Sequence, residues 1–481
     1  MKLITPHLIF RILSIILLIE TVAFLLCIPV AYFYGEALSP FFLSGLITYI
    51  FSTILSLLAG QSKTEKFSNR DGYLVVTIAW ILFLTFGTLP YLISGSTASF
   101  ADAFFESCSG FTTTGSSIFP DVESLPYSIL FWRSFTHWIG GLGIIALVII
   151  ILPSLGITGY QLFTLESSLK EKIHPRTQAV GLRLLFIYVG LTLTETILLW
   201  LGEMTLFESI CHSFGTIATG GFSVKNNSMM YYSAYSQYII MIFMFLSGIS
   251  MVVYYYIVKF NFNKVKKNEE LLFYIVVTVI AGALVTSIIF TESDMSPEAA
   301  FREGFFNVIS ISSSTGFANA DYITWSSPAV MIIFLLLFSG ACTGSTSGNI
   351  KIARHAIVFK AIKAAFIKLL HPNAIPNVRF NGKLVPEKAS VSIMSFIIMY
   401  LFIFLTGTII VVITGPDVIS AASSVAASLG NIGPGLGTVG PMSNYSHFPG
   451  ITKIILSMIM IIGRVEIIAV LSLFTRSFWK L

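Results

Sequence analysis

The sequence predicts an all-α polytopic membrane protein in which four covalently linked helix–loop–helix units follow two extra N-terminal helices. Three observations predict this fold class. Of the 481 residues, 55% are hydrophobic and only 11% are charged, and the mean hydropathy is +0.86, whereas a soluble domain carries roughly 25% charged residues. Apolar segments of spanning length recur along the chain, and a glycine-rich loop recurs four times between them.

Ten apolar segments are long enough to cross a bilayer, for which a helix needs ~20 residues. The first is too long for the apolar core of a signal peptide and shows no small-residue cleavage site, so we expect it to be retained as a span. An even number of spans places both termini on one side of the membrane. The predicted spans cover residues 8–34, 39–60, 72–95, 127–153, 179–202, 233–258, 271–290, 327–370 with an interruption, 389–414 and 449–477.

The charges of the loops predict the orientation of the chain. Basic and acidic loops alternate, and loops rich in Lys and Arg stay in the cytoplasm. We therefore expect the basic loops and both termini to be cytoplasmic. The basic loops contain Lys63, Lys66 and Arg70; Lys170, Lys172, Arg176 and Arg183; Lys259, Lys264, Lys266 and Lys267; and eight more basic residues within 351–388.

A short apolar segment precedes each glycine-rich loop on the outer side. Segments such as ADAFFESCSGF and LFESICHSFGTIA have ~12 residues, a length that indicates a re-entrant helix rather than a span. The loops contain TTTG, TGG, STG and NIG, and their final glycines recur about every 100 residues. Thirteen residues before these glycines stand Asp102, Glu208, Glu303 and Ser420. We expect the acids to lie at the start of each short helix, because a carboxylate suits the positive end of the helix dipole.

The repeat predicts one pore on a pseudo-fourfold axis. Non-helical backbone at membrane depth must be covered by protein or line a water-filled path. Glycine lets such a backbone turn its carbonyl groups inward, and rings of carbonyls replace the hydration shell of a cation. The alternative, four ordinary outer turns, leaves the recurrence unexplained. The predicted filter, formed mostly by backbone carbonyls, consists of Thr113, Thr114, Gly115, Thr219, Gly220, Gly221, Ser314, Thr315, Gly316, Asn431, Ile432 and Gly433.

The same repeat divides the chain into a hairpin and four pore units. The predicted boundaries are 1–70 for the N-terminal transmembrane hairpin, 71–165 for unit 1, 166–268 for unit 2, 269–385 for unit 3 and 386–481 for unit 4.

Two features inside the spans require explanation. The stretch SGACTGSTSGNIK, residues 339–351, interrupts an apolar segment. It indicates either a helix kink or a flexible loop beneath the filter, and it lacks the GK[ST] ending of a nucleotide-binding loop. Arg464 stands in the middle of the last span, where a charge is costly and indicates function. The alternative, an ion pair with Glu466, is disfavoured because residues i and i+2 do not share a helix face.

Several stretches carry a resemblance to a known family, namely DAFFESCSGFTTTGSS, HSFGTIATGGFS, SGACTGSTSGNIK, LLHPNAIPN, NIGPGLG and GRVEI. With them, nearly the whole chain resembles the Trk/Ktr/HKT superfamily of cation transporters, most closely the TrkH family of bacterial potassium-uptake subunits. The resemblance implies four covalently linked helix–pore loop–helix units, and a homodimer in which each protomer keeps its own pore. It also implies that the four filter glycines select potassium, the transported ion. Some sodium-favouring plant relatives have serine at the position of Gly115.

The resemblance further implies an intramembrane gate at residues 339–351, with Arg464 facing the pore beside it and helping to hold it shut. Relatives often have more glycine near the end of this loop. Ser347 and Asn349 stand there in this chain, which would stiffen the loop. The gate residues implied are Gly340, Gly344, Ser345, Thr346, Gly348 and Arg464.

Location and partners also follow from the resemblance. It implies the bacterial cytoplasmic (inner) membrane, with lipids around the chain, and a separate cytosolic ring of TrkA-like RCK subunits that binds ATP, ADP or NAD(H). We expect the basic loops at 166–183, 259–270 and 351–388 to contact this ring. The alternative is that their charges reflect only the positive-inside rule. Neither a nucleic-acid partner nor a covalently bound cofactor is expected.

The predicted function is potassium uptake by passive, gated permeation. The alternative is a symporter coupled to protons or sodium, for which Glu20 and Glu195 are the candidate residues. Such carriers usually contain inverted repeats, whereas these repeats run parallel. An enzyme is not expected, because HExxH and GxSxG are absent and the four cysteines form no CxxC pair. His137 precedes WIGGLGII, a small-residue face suited to close helix packing, and we interpret it as structural.

Overall fold

The computed structural model of the chain describes residues 6–60, 69–146, 177–465 and 467–479. These residues are helical apart from loops and one short hairpin, formed by β1, Arg379–Phe380, and β2, Lys383–Leu384. The predicted all-α membrane fold is therefore confirmed. Parts of two predicted basic loops, with Lys63, Lys66, Lys170, Lys172 and Arg176, lie outside the described residues, as does Glu466.

The chain begins with a helical hairpin of α1, Pro6–Phe33, and α2, Ser39–Ala59. The two helices pack along each other, and the Ser52 hydroxyl donates a hydrogen bond to the Ser14 carbonyl (2.8 Å) between them. Each is long and apolar enough to cross a membrane.

Four units follow, each with an outer helix, a short pore helix and a second helix. Unit 1 consists of α3, Asn69–Phe86, with α4, Leu89–Ile93, then the pore helix α5, Phe100–Phe111, and α6, Tyr127–Ala146. Unit 2 consists of α7, Thr177–Trp200, the pore helix α8, Leu206–Ile217, and α9, Ala234–Ser247, α10, Met251–Val258, and α11, Phe262–Lys266. Unit 3 consists of α12, Glu269–Glu292, the pore helix α13, Pro297–Ser312, α14, Ser327–Leu336, and α15, Ile352–Leu370. Unit 4 consists of α16, Glu387–Ile413, the pore helix α17, Val418–Gly430, α18, Gly450–Arg464, α19, Ile467–Ser472, and α20, Arg476–Trp479. Short 3-10 turns lie at Ser228–Tyr231, Tyr322–Thr324 and Gly437–Val439.

The second helices of units 2, 3 and 4 are broken. The interruption predicted within 327–370 is confirmed, and the predicted span at 233–258 is interrupted as well. Helices α9 and α10 meet at 97°, and α18 ends at Arg464. At the first break, the Gly248 carbonyl and the Met251 amide bond to Cys342 and Gly344 of the loop between α14 and α15. A helix can break inside the protein because this loop satisfies the backbone groups that the break frees.

The predicted acids lie in the first turn of the first two pore helices, but the acid predicted for the third does not. Glu208 forms a capping box with Thr205 at the start of α8, and Asp102 lies in the first turn of α5. The prediction for Glu303 was wrong, because the Ser296 hydroxyl caps α13 seven residues earlier, ahead of Pro297. In unit 4 the acid is Asp417, which caps α17 by accepting from the Ser420 amide (3.1 Å).

The burial of the helices separates the centre of the molecule from its lipid-facing surface. From Ala103 to Phe111 every residue of α5 is buried, and the same is true of α17 from Ser423 to Gly430. The outer helices instead expose large apolar side chains such as Ile398 on α16. Such a surface fits lipid, so the pore helices form the core and the outer helices face the membrane.

Candidate selectivity filter and gate

Each pore helix ends in the same hydrogen-bonded cap. In unit 1 the Thr113 amide donates to the Gly110 carbonyl (3.0 Å) and the Thr114 amide donates to the Ser109 carbonyl (2.8 Å). The equivalent pair of bonds recurs in units 2, 3 and 4. This is the double bond pattern of a Schellman cap, which turns the chain sharply at the helix end. The chain therefore leaves all four pore helices in the same way.

The cap requires a left-handed residue, and none of the four is glycine. The φ angles are +53° at Thr113, +55° at Thr219, +57° at Ser314 and +52° at Asn431. Such angles are costly for side-chain-bearing residues, most of all for threonine, and strain of this kind clusters at functional sites. The strain marks these four positions as candidates for a functional role.

The four predicted filter glycines form a closed ring. Their φ angles are +86° at Gly115, +82° at Gly221, +91° at Gly316 and +102° at Gly433. A Cβ atom added to any one of them would collide with the backbone of the next unit. Cβ atoms at positions 115, 221, 316 and 433 would collide with the carbonyl oxygens of Gly220, Thr315, Ile432 and Thr114, respectively. The structure thus brings the predicted filter residues of all four units together at one level.

The predicted gate loop lies directly against the filter. The Gly348 amide donates to the Ser314 hydroxyl (2.8 Å), and the Thr219 hydroxyl lies 3.4 Å from that of Thr346. A Cβ atom on Gly348 would meet the Gly430 carbonyl at the end of α17. The left-handed Thr219 and Ser314 therefore use their hydroxyls to contact the loop.

The other predicted gate residues hold the loop in a compact shape. The Gly340 amide donates to the Ile350 carbonyl (2.7 Å), Gly344 adopts a φ of +80°, and the Ser345 hydroxyl donates to Cys342. Asn349 is left-handed as well, with a φ of +66°. Its side chain bonds to the Leu337 carbonyl, to the Ile350 amide and to the Tyr400 hydroxyl.

Arg464 reaches the same loop from unit 4. Its Nη1 donates to the Thr346 carbonyl (2.9 Å) and its Nη2 lies 3.4 Å from the Gly140 carbonyl of α6. The side chain is almost completely buried. One guanidinium group therefore links the gate loop to units 1 and 4.

Known proteins are similar to this chain over nearly its whole length. Residues 37–480 match the TrkH family, described as cation transport proteins. This chain belongs to the TrkH family. It is 34% identical to the Trk system potassium uptake protein TrkH of Escherichia coli K12, over 90% of this chain and 91% of that protein. It is 32% identical to TrkG of the same organism, over 94% of each chain.

A solved relative shares the whole fold. The crystal structure of the potassium transporter TrkH from Vibrio parahaemolyticus superposes with a TM-score of 0.91 at 31% identity, over 98% of this chain and 99% of that one. The four pore-loop units and the added N-terminal hairpin are therefore the architecture of this TrkH family member.

Sequence reasoning missed a buried ion pair behind the filter. Glu106 of α5 accepts from Arg133 of α6 (2.7 Å), and their side chains are 0% and 2% exposed. Glu106 also accepts from the Ile118 amide (2.9 Å), and Arg133 donates to the Ser223 carbonyl (3.2 Å). The pair braces the segments that follow the filter in units 1 and 2. A charge within ILFWRSFTHW was the available signal, equivalent to the one that singled out Arg464.

A second missed residue holds the gate loop. Glu270, at the start of α12, is completely buried and accepts a hydrogen bond from the Thr343 amide (2.5 Å). No feature of the sequence singled out Glu270, because an acid at the end of a span usually lies in solvent.

The small-residue face of α6 packs as predicted. A Cβ atom on Gly140 would collide with the Phe111 carbonyl, and one on Gly141 would lie 3.1 Å from Ala218. Helix α6 therefore lies directly against the ends of the first two pore helices.

Outside the filter lies a cavity of about 310 Å³, lined by all four filter glycines. Lys225 lines it as well, 3.5 Å from Glu123 and 3.6 Å from Glu208. Partial burial lowers the pKa of Lys225, but these two carboxylates raise it more, so that the pKa lies above its usual value. Two carboxylates thus more than compensate the positive charge of Lys225 beside this cavity.

Proposed function

We propose that this protein takes up potassium by gated, channel-like permeation through the ring of four glycine loops. The observation that carries the proposal is that ring, in which each filter glycine packs against a carbonyl of the neighbouring unit. The relatives named as potassium uptake proteins support the choice of ion.

The physical argument concerns dehydration. An ion that enters the ring loses water, and carbonyl oxygens from four units replace that water. The four pore helices end at the ring, so that their negative C-terminal ends favour a cation there. Because each glycine leaves no room for a side chain, the spacing of the carbonyls depends on the packing between the units.

The gate belongs to the same proposal. The loop at 339–351 lies against the filter, and Arg464 donates to it. In the proposed cycle, potassium waits beneath the filter until the loop and Arg464 move aside. The charge of Arg464 raises the barrier to a cation while it stays in place.

Assembly and location complete the proposal. We place the protein in the bacterial cytoplasmic membrane with both termini in the cytoplasm, as a homodimer with one pore in each protomer. A ring of TrkA-like RCK subunits, which binds ATP, ADP or NAD(H), would control the gate from the cytoplasmic side. The basic residues of α11, α15 and the loops beside them are the proposed contact surface.

The first test compares potassium and sodium flux into liposomes that contain the purified protein, with and without Gly115→Ser. We expect potassium-selective flux that needs no proton or sodium gradient. The variant should lose selectivity, because its Cβ has no room beside the Gly220 carbonyl and the φ of Gly115 is left-handed. Equal flux of potassium and sodium through the unmodified protein would refute the proposed filter.

The same experiment tests the alternative of ion-coupled symport. Glu20 and Glu195 are both completely buried. Glu20 belongs to α1 of the hairpin, which packs on α2, α3 and α6, and Glu195 belongs to α7, which packs on the pore helix α8. Neither residue is part of the filter or the gate loop, which favours a role in packing. Flux that stopped without a proton or sodium gradient would instead support the symporter.

A further inference from the structure

We propose that His137 positions the second filter loop, and that residue 220 is a glycine because the imidazole fills the space of a side chain. The inference rests on the proposed filter function. His137 lies on α6 in unit 1 and is completely buried. Both of its ring nitrogens nevertheless reach the pore-loop backbone. Nδ1 lies 2.7 Å from the Gly110 carbonyl oxygen and Nε2 lies 3.2 Å from the Phe222 amide.

These partners define the state of the ring. A backbone amide can only donate a hydrogen bond, so Nε2 must accept and carries no proton. A carbonyl can only accept, so Nδ1 must carry the proton. His137 is therefore a neutral imidazole that joins the end of the pore helix α5 to the residue directly after the filter glycine Gly221. Its ring also stacks on that of Phe222, with centroids 4.2 Å apart.

The backbone conformation at position 220 does not require glycine. The equivalent residues of the other units are Thr114, Thr315 and Ile432, which all carry side chains. The φ angle of Gly220 is not among the left-handed ones. A Cβ atom at this position would, however, lie within 2.7 Å of three ring atoms of His137. The absence of a side chain at Gly220 thus makes room for the imidazole of His137. The second filter loop, in unit 2, packs here against a side chain of unit 1.

The consequence is a role in selectivity without contact to the ion. Loss of the imidazole would leave the Phe222 amide buried without its acceptor and open a space behind Gly220. The loop that holds Gly221 could then relax, and the spacing of the carbonyl ring would change. His137 is in this sense a positioning residue, which acts on the ion through the backbone of residues 220–222.

The first test measures the ratio of potassium to sodium flux in liposomes that contain the purified full-length protein. His137→Ala should lower this ratio by about fivefold or more, the factor that corresponds to one buried hydrogen bond. His137→Gln should retain more of it, because an amide side chain can both accept from Phe222 and donate to Gly110. His371→Ala is the control. His371 is exposed just after α15 and belongs to neither the filter nor the gate loop, so selectivity should stay at the unmodified value.

The second test is a double-mutant cycle that stays informative even if one variant conducts poorly. Gly220→Ala should lower the melting temperature of the purified protein, because the new methyl group collides with the imidazole. Adding His137→Ala removes the collision, so the double variant should be more stable than Gly220→Ala alone. Unchanged selectivity in His137→Ala, or a double variant no more stable than Gly220→Ala, would overturn the inference. Unselective flux through the unmodified protein would overturn the proposed filter, and that result is obtained before any variant is compared.

Discussion

Glu106 and Arg133 form an ion pair that is almost completely withdrawn from solvent. Burying two charges is costly unless they pair closely and their remaining polar atoms find partners. The Ile118 amide, the Ser117 hydroxyl and the Ser223 carbonyl supply those partners. The pair therefore ties the segments that follow Gly115 and Gly221 to the pore helix α5, and its value lies in this positioning.

We predict that Glu106→Gln destabilises the protein by ~3–5 kcal/mol, the usual cost of leaving one charge of a buried pair uncompensated. The melting temperature of the detergent-purified protein measures the effect. The double variant Glu106→Gln with Arg133→Gln should cost less than the sum of the two single variants, because neither charge then remains alone.

The control is the ion pair of Glu298 with Arg302 on α13, where the Glu298 side chain is 53% exposed. An exposed pair contributes only ~0–1 kcal/mol, so Glu298→Gln should barely change the melting temperature. Equal losses in Glu106→Gln and Glu298→Gln would show that the buried pair has no special role.

Among the elements, the gate loop at 339–351 is held by groups from several units. Unit 2 contributes Thr219, unit 3 contributes Ser314 and Glu270, and unit 4 contributes Arg464. In the proposed cycle, opening the loop must break several of these bonds together. A contact that exists only while the loop is in place favours the closed state, so that its removal favours opening.

We accordingly predict that Arg464→Met increases potassium flux into liposomes by about tenfold and leaves the potassium-to-sodium ratio unchanged. A hydrogen bond from a charged group contributes ~1.5–3 kcal/mol, and 1.4 kcal/mol corresponds to a factor of ten. Lys368→Met is the control, since Lys368 is an exposed basic residue of α15. A decrease in flux through Arg464→Met would mean that the arginine supports conduction rather than closure.

The elements also show how far the sequence could be interpreted. The four clustered loop glycines and the interruption at 339–351 were predictable, because a fourfold repeat and a polar interruption are visible without coordinates. The break between α9 and α10 was not, since FLSGISMVV stays apolar across it and hydropathy does not report backbone direction. The hydrogen bonds of His137 could not be predicted either. Its partners at Gly110 and Phe222 are backbone atoms, and residue types do not show which side chain a backbone group will bind.

In the whole molecule, four similar units close into a ring through unlike contacts. Units 1 and 4 meet through the ion pair of Asp102 with Lys453, and units 3 and 4 meet where the Tyr322 hydroxyl donates to the Gly435 carbonyl. Units 2 and 3 share a backbone bond from Met229 to Ala318. Because the units are covalently linked, each contact between neighbours can differ, and the ring needs only approximate fourfold symmetry.

The orientation of the molecule in the membrane is the last prediction. All four cysteines, Cys27, Cys108, Cys211 and Cys342, are buried, so the unmodified protein should react little with a membrane-impermeant maleimide. Asp294 lies in the exposed loop between α12 and α13, on the side of the outer cavity, and Lys368 lies on the exposed end of α15. In intact cells we expect Asp294→Cys to be labelled and Lys368→Cys to be protected, with the reverse in inside-out vesicles.

The two variants, each with one added cysteine, control for each other, because the added cysteine should react in one preparation and resist in the other. Labelling of Lys368→Cys in intact cells would place the basic loops outside and invert the proposed direction of the pore. That result would also move the gate loop to the outer side of the filter and exclude control by a cytosolic subunit. The labelling pattern therefore decides whether the filter is the first barrier that an incoming ion meets or the last.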